Sequence, residues 1–396
     1  MPRSSLTRVE KVRIYPNPAQ IRAFERILWT CCNLYNAALE ERRSAYGRYK
    51  LAGKPKDFPW PTMRSQIDGY LEAREENIWL QNIYSETLRN VLKKIDVSMS
   101  AFMRRVSRGE KAGYPRFRSS RRYDTFSYPH GDRAIKVFEK TLKFPKEIGY
   151  VKYRKSGRDL PQEFGVVRIS RLCGRWYACF EYIVEARPLV PSGREVGVDV
   201  GIANYAALSS GDFIPNGKWD RKGNSEYHHR VVSSKKRRSK RRRKAVLLLA
   251  KSKAREKCQR DDFLHKESRK LVTNFDLIAL EKLQILNMVR SAKGTVEEPG
   301  SKVSQKAGLN RSILDAAWGR FTNMIAYKAE EAGRKVVFVD PKNTSLTCSS
   351  CGHVGKENRK SQSEFLCVSC GHCDHADVNA AKNILERARL GLAAAA

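Results

Sequence analysis

The chain has 396 residues, with 77 Lys and Arg against 42 Asp and Glu, a net charge of +35 and a sequence pI near 10.0. A surplus of that size calls for a polyanionic partner, nucleic acid by default and an anionic membrane surface as the alternative. No apolar run approaches the ~18 residues of a spanning helix, and MPRSSLTRVEKVRIYP lacks the apolar core of a secretory signal, so a soluble intracellular protein of two or three domains is expected.

In chain order, NPAQIRAFERILWTCCNLYNAALEERRSAY predicts a helix, with Asn17 as N-cap, Pro18 at the first helical position and apolar residues at helical spacing. SETLRNVLKKIDVSMSAFMRRV predicts a second helix whose Lys and Arg form a basic face, either solvated or in contact with phosphate. In the next stretch, Arg116, Arg118, Arg121 and Arg122 interleave with Tyr114, Phe117, Tyr123, Phe126 and Tyr128. That composition suits a surface that stacks bases, and equally a half-buried edge sheet. The short extended runs YVKYRK, FGVVRIS and RWYACFEYIV predict a small β-barrel-like unit closing around a helical insertion. EARPLVPSGRE (185–195) reads as a linker at a domain boundary.

Beyond the linker, EVGVDVGIANYAALSSGDFI alternates. Val196, Val198, Val200 and Ile202 face one way, and Gly197, Asp199, Gly201 and Ala203 face an open side where backbone and ligand approach closely. SSGD predicts a hairpin turn. The basic run 235–244 opens a long helical stretch, and it suits a localisation-like tract, a solvated face or a clamp on RNA. FDLIALEKL predicts a buried strand ending at Glu281. RSILDAAWGRFTNMIAYKAEEAG predicts one helix carrying Ile313, Ala317, Phe321 and Ile325, stopped by Gly333. KVVFVD predicts another buried strand, and DVNAAKNI a final helix. The sequence of elements from 195 onward is that of a ribonuclease-H-like α/β nuclease.

In that topology Asp199 on the first strand, Glu281 at the end of the fourth and Asp377 in the first turn of the last helix meet on one side of the sheet. Carboxylates on separate elements are what two-metal phosphodiester hydrolysis requires, and Mg2+ prefers such oxygen ligands, with Mn2+ as a substitute. The helix N-terminus favours an ionised Asp377. Asp340 and Asp374 are rival carboxylates by spacing. Cys348, Cys351, Cys367 and Cys370 read C-x2-C, fifteen residues, C-x2-C, the pattern of a closed structural zinc site. Gly352 and Gly371 follow the doublets where tight turns are needed. Cys373, His353, His372 and His375 crowd the same segment.

GVDVGI, DFLHKESRKLVTNFDLIALEKLQILNM, LDAAWGRFTNMIAYKAEEAGRKVVFVD, TSLTCSSCG and DVNAAKNI resemble the TnpB family encoded by bacterial and archaeal insertion sequences, as do RIYPNPAQ, NLYNAALEER and GEKAGYPRFR near the N-terminus. The resemblance implies a wedge β-barrel (1–17 and 113–190), a helical recognition insertion (18–112), a RuvC-like nuclease (191–342 and 375–396) and a zinc-binding target-nucleic-acid module (343–374). It implies an RNA-guided DNA endonuclease in the bacterial or archaeal cytoplasm, near the nucleoid. Its partners would be a guide RNA from the transposon end and double-stranded target DNA, with no membrane, one monomer serving each guide. Asp199, Glu281 and Asp377 would be the catalytic acids and hold two Mg2+ ions, and the four cysteines would hold Zn2+. Ser85, Arg89, Tyr123 and Thr125 are candidates for reading a short target-adjacent motif, and Arg116, Arg118, Arg121 and Arg122 are candidates for binding nucleic acid. Lys235, Lys236, Arg237, Arg238, Arg241, Arg242 and Arg243 are candidates for gripping RNA. Rival functions are a guided DNA-binding repressor, a DNA-joining transposase and a zinc-containing RNA-binding protein.

Overall fold

A computed structural model describes residues 5–155, 159–217, 219 and 224–394. Parts of the expected domain ranges (1–4, 156–158, 218, 220–223 and 395–396) lie outside these residues. The chain forms two compact units, Thr7–Val184 and a second starting at Glu185. No described helix is long and apolar enough to cross a membrane.

The first unit begins with β1 (Ser5–Tyr15) and α1 (Pro18–Leu51). The Asn17 side chain accepts from the Gln20 N–H while the Gln20 side chain accepts from the Asn17 N–H, so both orphan donors are satisfied. α2 (Met63–Glu76), α3 (Ile78–Gln81) and α4 (Ser85–Ser107) complete the helical part. There follow β2 (Thr125–Tyr128), the short α5 (Gly131–Ala134), β3 (Lys136–Val137), β4 (Thr141–Phe144), β5 (Gly149–Tyr153), β6 (Val167–Leu172) and β7 (Arg175–Glu185). These strands form one sheet in the order β2-β6-β7-β1-β5-β4-β3. Among the described residues no pairing joins β2 to β3, so the sheet is open where the sequence suggested a barrel. A two-residue β3 ends the ladder at one edge. Tyr123, Phe126 and Tyr128 are buried in the core with Phe24, Phe144 and Trp176. The edge-sheet reading therefore holds for these three aromatics, and they present no stacking face.

The second unit opens with β8 (Glu195–Val200), β9 (Asn204–Leu208) and β10 (Phe213–Pro215), followed by α6 (Asn224–Ser233) and α7 (Lys240–Asn274). β11 (Leu277–Glu281), α8 (Ile285–Met288), α9 (Val303–Ala316), α10 (Trp318–Ala332) and β12 (Lys335–Val339) come next. The hairpin β13 (Glu364–Leu366) and β14 (Cys373–His375) precedes α11 (Ala376–Ala393). The main sheet has the order β10-β9-β8-β11-β12, with its first three strands antiparallel and its last two parallel to β8.

Strand alternation assigns the two faces. Val196, Val198, Ile278 and Leu280 pack with Leu264, Leu271, Phe321 and Ile325 from α7 and α10. Leu277 and Ala279 pack on the opposite face with Ile384, Leu385 and Ala388 of α11. The side of β8 expected to be open is therefore covered at Gly197, where an added Cβ would lie 2.0 Å from the Ala381 carbonyl oxygen. Gly197 is small so that a helix can rest directly on the strand.

Three further expectations change. The long helix over 311–333 breaks at Ala317, which adopts φ 54° and ψ 40° and separates α9 from α10. The basic run does not start a helix: Arg238 takes a left-handed conformation, and α7 begins at Lys240 with Ser239 as its cap. KVVFVD forms β12, the edge strand of this sheet among the described residues, and Phe338 is 45% exposed, so the strand is not buried throughout. The expected linker is pinned to the second unit: Arg187 and Leu189 donate to carbonyls of Glu331 and Ala332, and Asp276 accepts from the Ser192 and Gly193 amides.

Candidate active site

The register of β8 against β11 sets Val198 beside Leu280, and the next residues along the two strands are Asp199 and Glu281. Both continue the face that carries Gly197 and Ala279, so both aim toward α11. The N-terminus of that helix supplies Asp377, whose N–H donates to His375 Nδ1 at 3.2 Å. Three distant stretches thus bring Asp199, Glu281 and Asp377 to one cleft of about 340 Å³, lined also by Gly201, Thr344, Arg359 and Ala380.

The three carboxylates crowd one another electrostatically. Burial first, then the charges of Glu281 and Asp377, push the Asp199 carboxyl up to about 8, while Arg359 works in the opposite direction. Burial also raises Glu281, opposed by a hydrogen bond from Thr344 and the charge of Arg387. Thr344 Oγ1 donates to Glu281 Oε1 at 2.5 Å, and Arg359 donates to Asp377 at 3.0 Å. Three acids outnumber the two arginines, Arg359 and Arg387, that act on them, and this donor set fits hard divalent cations that take oxygen ligands. The three carboxylates line the cleft without converging as tightly as the cysteine sulfurs described below.

The rival acids have other partners. Asp340 is exposed and accepts from the Lys342 N–H, and Asp374 pairs with Lys382 at 2.7 Å. Sequence reasoning missed Thr344 and Arg359. Thr344 opens the TSLTC run, four residues ahead of Cys348. Arg359 stands between the two cysteine doublets with no local signal, and only the fold turns it toward Asp377.

The sulfurs of Cys348, Cys351, Cys367 and Cys370 all lie within 4.8 Å of one another, and among the described residues no other such cluster forms. Each doublet closes a matching turn. Gly352 donates to the Cys348 carbonyl and Gly371 to the Cys367 carbonyl, both at positive φ (75° and 72°). His353 and His372 accept from Cys348 and Cys367 through their backbone carbonyls. His375 caps α11, and Cys373 pairs across from Leu366 in the hairpin. Four convergent thiols therefore fit a tetrahedral zinc ion without these neighbours.

The candidate nucleic-acid residues are scattered by comparison. Arg116, Arg118, Arg121 and Arg122 are exposed; Arg118 lies over the Tyr35 ring at 5.0 Å. Arg89 pairs with Glu86 at 2.7 Å, Ser85 accepts from Tyr70, and Tyr123 is buried near Thr125 at the start of β2. Lys235, Lys236, Arg237, Arg238, Arg241 and Arg243 are exposed. Arg242 instead donates to the Val232 and Lys235 carbonyls and locks the turn between α6 and α7.

Residues 178–292 match the family model described as "Probable transposase", and residues 318–384 match "Cas12f1-like, TNB domain". Residues 1–50 match a "Helix-turn-helix domain", although residues 18–50 here lie in a single helix. The chain is 34% identical to "Putative RNA-guided DNA endonuclease InsQ" of Escherichia coli (strain K12), over 95% of this chain and 90% of that protein. It is 30% identical to a Streptomyces pristinaespiralis protein named "Putative RNA-guided DNA endonuclease", over 98% and 90% respectively. A solved Cas12f1–sgRNA–target DNA complex matches 96% of this chain and 99% of its own at a TM-score of 0.55 and 13% identity. Its likeness supports the RuvC-like nuclease fold already evident in the strand order. The chain belongs to the TnpB family, the OrfB proteins of IS605-type insertion sequences.

Proposed function

We propose that this protein is an RNA-guided DNA endonuclease that cuts with a single RuvC-like site. The observation that carries the reading is the convergence of Asp199, Glu281 and Asp377 on one cleft. The names of the full-length relatives agree with it. Asp199 and Asp377 would hold divalent cations at the centre, and Glu281 would complete one of the two sites. Bound Mg2+ supplies an activated water and charge stabilisation for in-line displacement. Asp199 would hold the cation as its carboxylate. Arg359 donates to Asp377 and balances its charge, and with divalent cations held there it would be free to meet a phosphate oxygen.

Zinc in the four-cysteine knuckle holds the loop between β12 and α11 and keeps Arg359 over the cleft. The open sheet of the first unit, with Thr125 on its edge strand β2, acts as the wedge, and its helices form the recognition region that reads a short DNA motif. The exposed part of the basic run (Lys235, Lys236, Arg237, Arg238, Arg241 and Arg243) grips guide RNA derived from the transposon end. Sequence choice then rests on base pairing, and the protein needs mainly backbone contacts, as its charge of +35 suits. One chain serves one guide, in the bacterial or archaeal cytoplasm.

Asp199→Ala tests this reading. It abolishes plasmid cleavage and leaves RNA-dependent DNA binding intact. Loss of both would break the assignment of chemistry to this site, and retained cleavage would remove it.

A further inference from the structure

The segment between β12 and the knuckle is fastened along one stripe of the terminal helix. Asn379, Asn383 and Arg387 recur every fourth residue of α11, so they share a face. Asn383 donates to the Thr344 and Thr347 carbonyls at 2.9 and 2.6 Å, and Asn379 donates to the Thr347 carbonyl while accepting from the Ser349 N–H. Arg387 donates to the Asp340 and Lys342 carbonyls. Asn379 is fully buried and Asn383 nearly so. These amides therefore spend their hydrogen bonds on loop backbone and none on solvent. The object they fix is Thr344, itself 4% exposed, whose hydroxyl meets Glu281 Oε1 at 2.5 Å and the Pro341 carbonyl at 3.1 Å. A hydroxyl has one proton, and the short contact to the carboxylate is the geometry of a charge-assisted bond.

We infer that Thr344 is a positioning residue for Glu281. Held by Asn383 on the helix that also carries Asp377, its hydroxyl fixes one carboxylate oxygen and presents the other to a divalent cation. The inference rests on the reading of Asp199, Glu281 and Asp377 as cation ligands, and it deepens that reading by naming what orients one of them. Three separate elements are thereby coupled: β11 contributes Glu281, the loop contributes Thr344, and α11 contributes Asp377 and the amides that seat the loop.

The test is a Mn2+ titration of the zinc-loaded full chain, freed of RNA, followed by the magnetic resonance signal of free Mn2+. Thr344→Val keeps the volume and removes the hydroxyl. It weakens Mn2+ binding about tenfold or more, the usual effect of losing a partner that orients a metal-binding side chain. Thr344→Ser restores wild-type binding, and both variants melt close to wild type. Unchanged Mn2+ affinity in Thr344→Val, alongside loss of the sites in Asp199→Ala, would overturn the inference and leave the nuclease reading standing. Equal weakening by Val and Ser, together with a lowered melting temperature, would overturn it in favour of a purely structural loop. Unchanged titration in Asp199→Ala would overturn the underlying reading.

Discussion

Asp199→Asn removes the charge that the cleft tolerates least. The wild-type carboxyl rises from 3.8 to about 8 through burial and the repulsion of Glu281 and Asp377. Its folded-state pKa lies above the unfolded one, so the folded chain holds the extra proton between those values. Stability contributed by this group is present at low pH and is lost as pH rises through that window. Four pKa units at about 1.4 kcal/mol each set a ceiling of about 6 kcal/mol, and the water-accessible cleft reduces the expected effect to about 2–3 kcal/mol. Asparagine avoids this cost, so without Mg2+ at pH 8.5 the variant melts higher than wild type by roughly 5–10 °C for a unit of this size. At pH 5 the gap shrinks by more than half. Millimolar Mg2+ raises the melting temperature of wild type and not of the variant, while cleavage is lost. Thermal melts of zinc-loaded protein at the two pH values measure this. A variant that melts at or below wild type at pH 8.5 would refute the account of carboxylate crowding.

Three other perturbations follow from the geometry. Gly197→Ala drives a methyl into the Ala381 carbonyl, displaces α11 and with it Asp377, and costs about 1–3 kcal/mol or more along with cleavage, read by melting and plasmid cutting. Cys367→Ser opens the four-thiol cluster, so metal analysis shows loss of the bound zinc and limited proteolysis finds new cuts between residues 343 and 374. Changing Lys235, Lys236, Arg237 and Arg241 to Gln lowers the salt slope of guide-RNA binding by about three, at ~0.7–0.9 per lost phosphate contact, while Arg242→Gln acts on the α6–α7 turn instead. An unchanged slope would place the exposed part of the run outside the RNA interface.

What was legible in the sequence had a local physical signature. Alternation in EVGVDV assigned Asp199 to one face of β8, and that face is the one toward α11. The cysteine doublets with their following glycines encoded two matching turns directly. Glu281 could be located because a buried strand must end where its apolar run ends. Features that depend on partners distant in sequence were hidden. Nothing near Gly197 says that a helix backbone presses on it, and Asn379 and Asn383, four residues apart on α11, look like an ordinary polar face until the loop they bind is in place. The break at Ala317 is equally silent, since the residue itself is a good helix former and the apolar spacing runs through it. Tyr123, Phe126 and Tyr128 have a composition shared by core and base-stacking surfaces, and only burial separates the two. The open sheet of the first unit depends on where β3 stops, which strand propensity does not specify.

The central claim is that Asp199, Glu281 and Asp377 cut DNA chosen by an RNA. The most direct measurement is to express the chain with its own flanking DNA, sequence the RNA that co-purifies, and present the particle with Mg2+ and a plasmid library carrying the matching target beside randomised bases. The account predicts one defined RNA species and linearisation that depends on a short adjacent motif and disappears in Asp199→Ala. Heterogeneous RNA with no cleavage, or cleavage indifferent to the RNA, would contradict it.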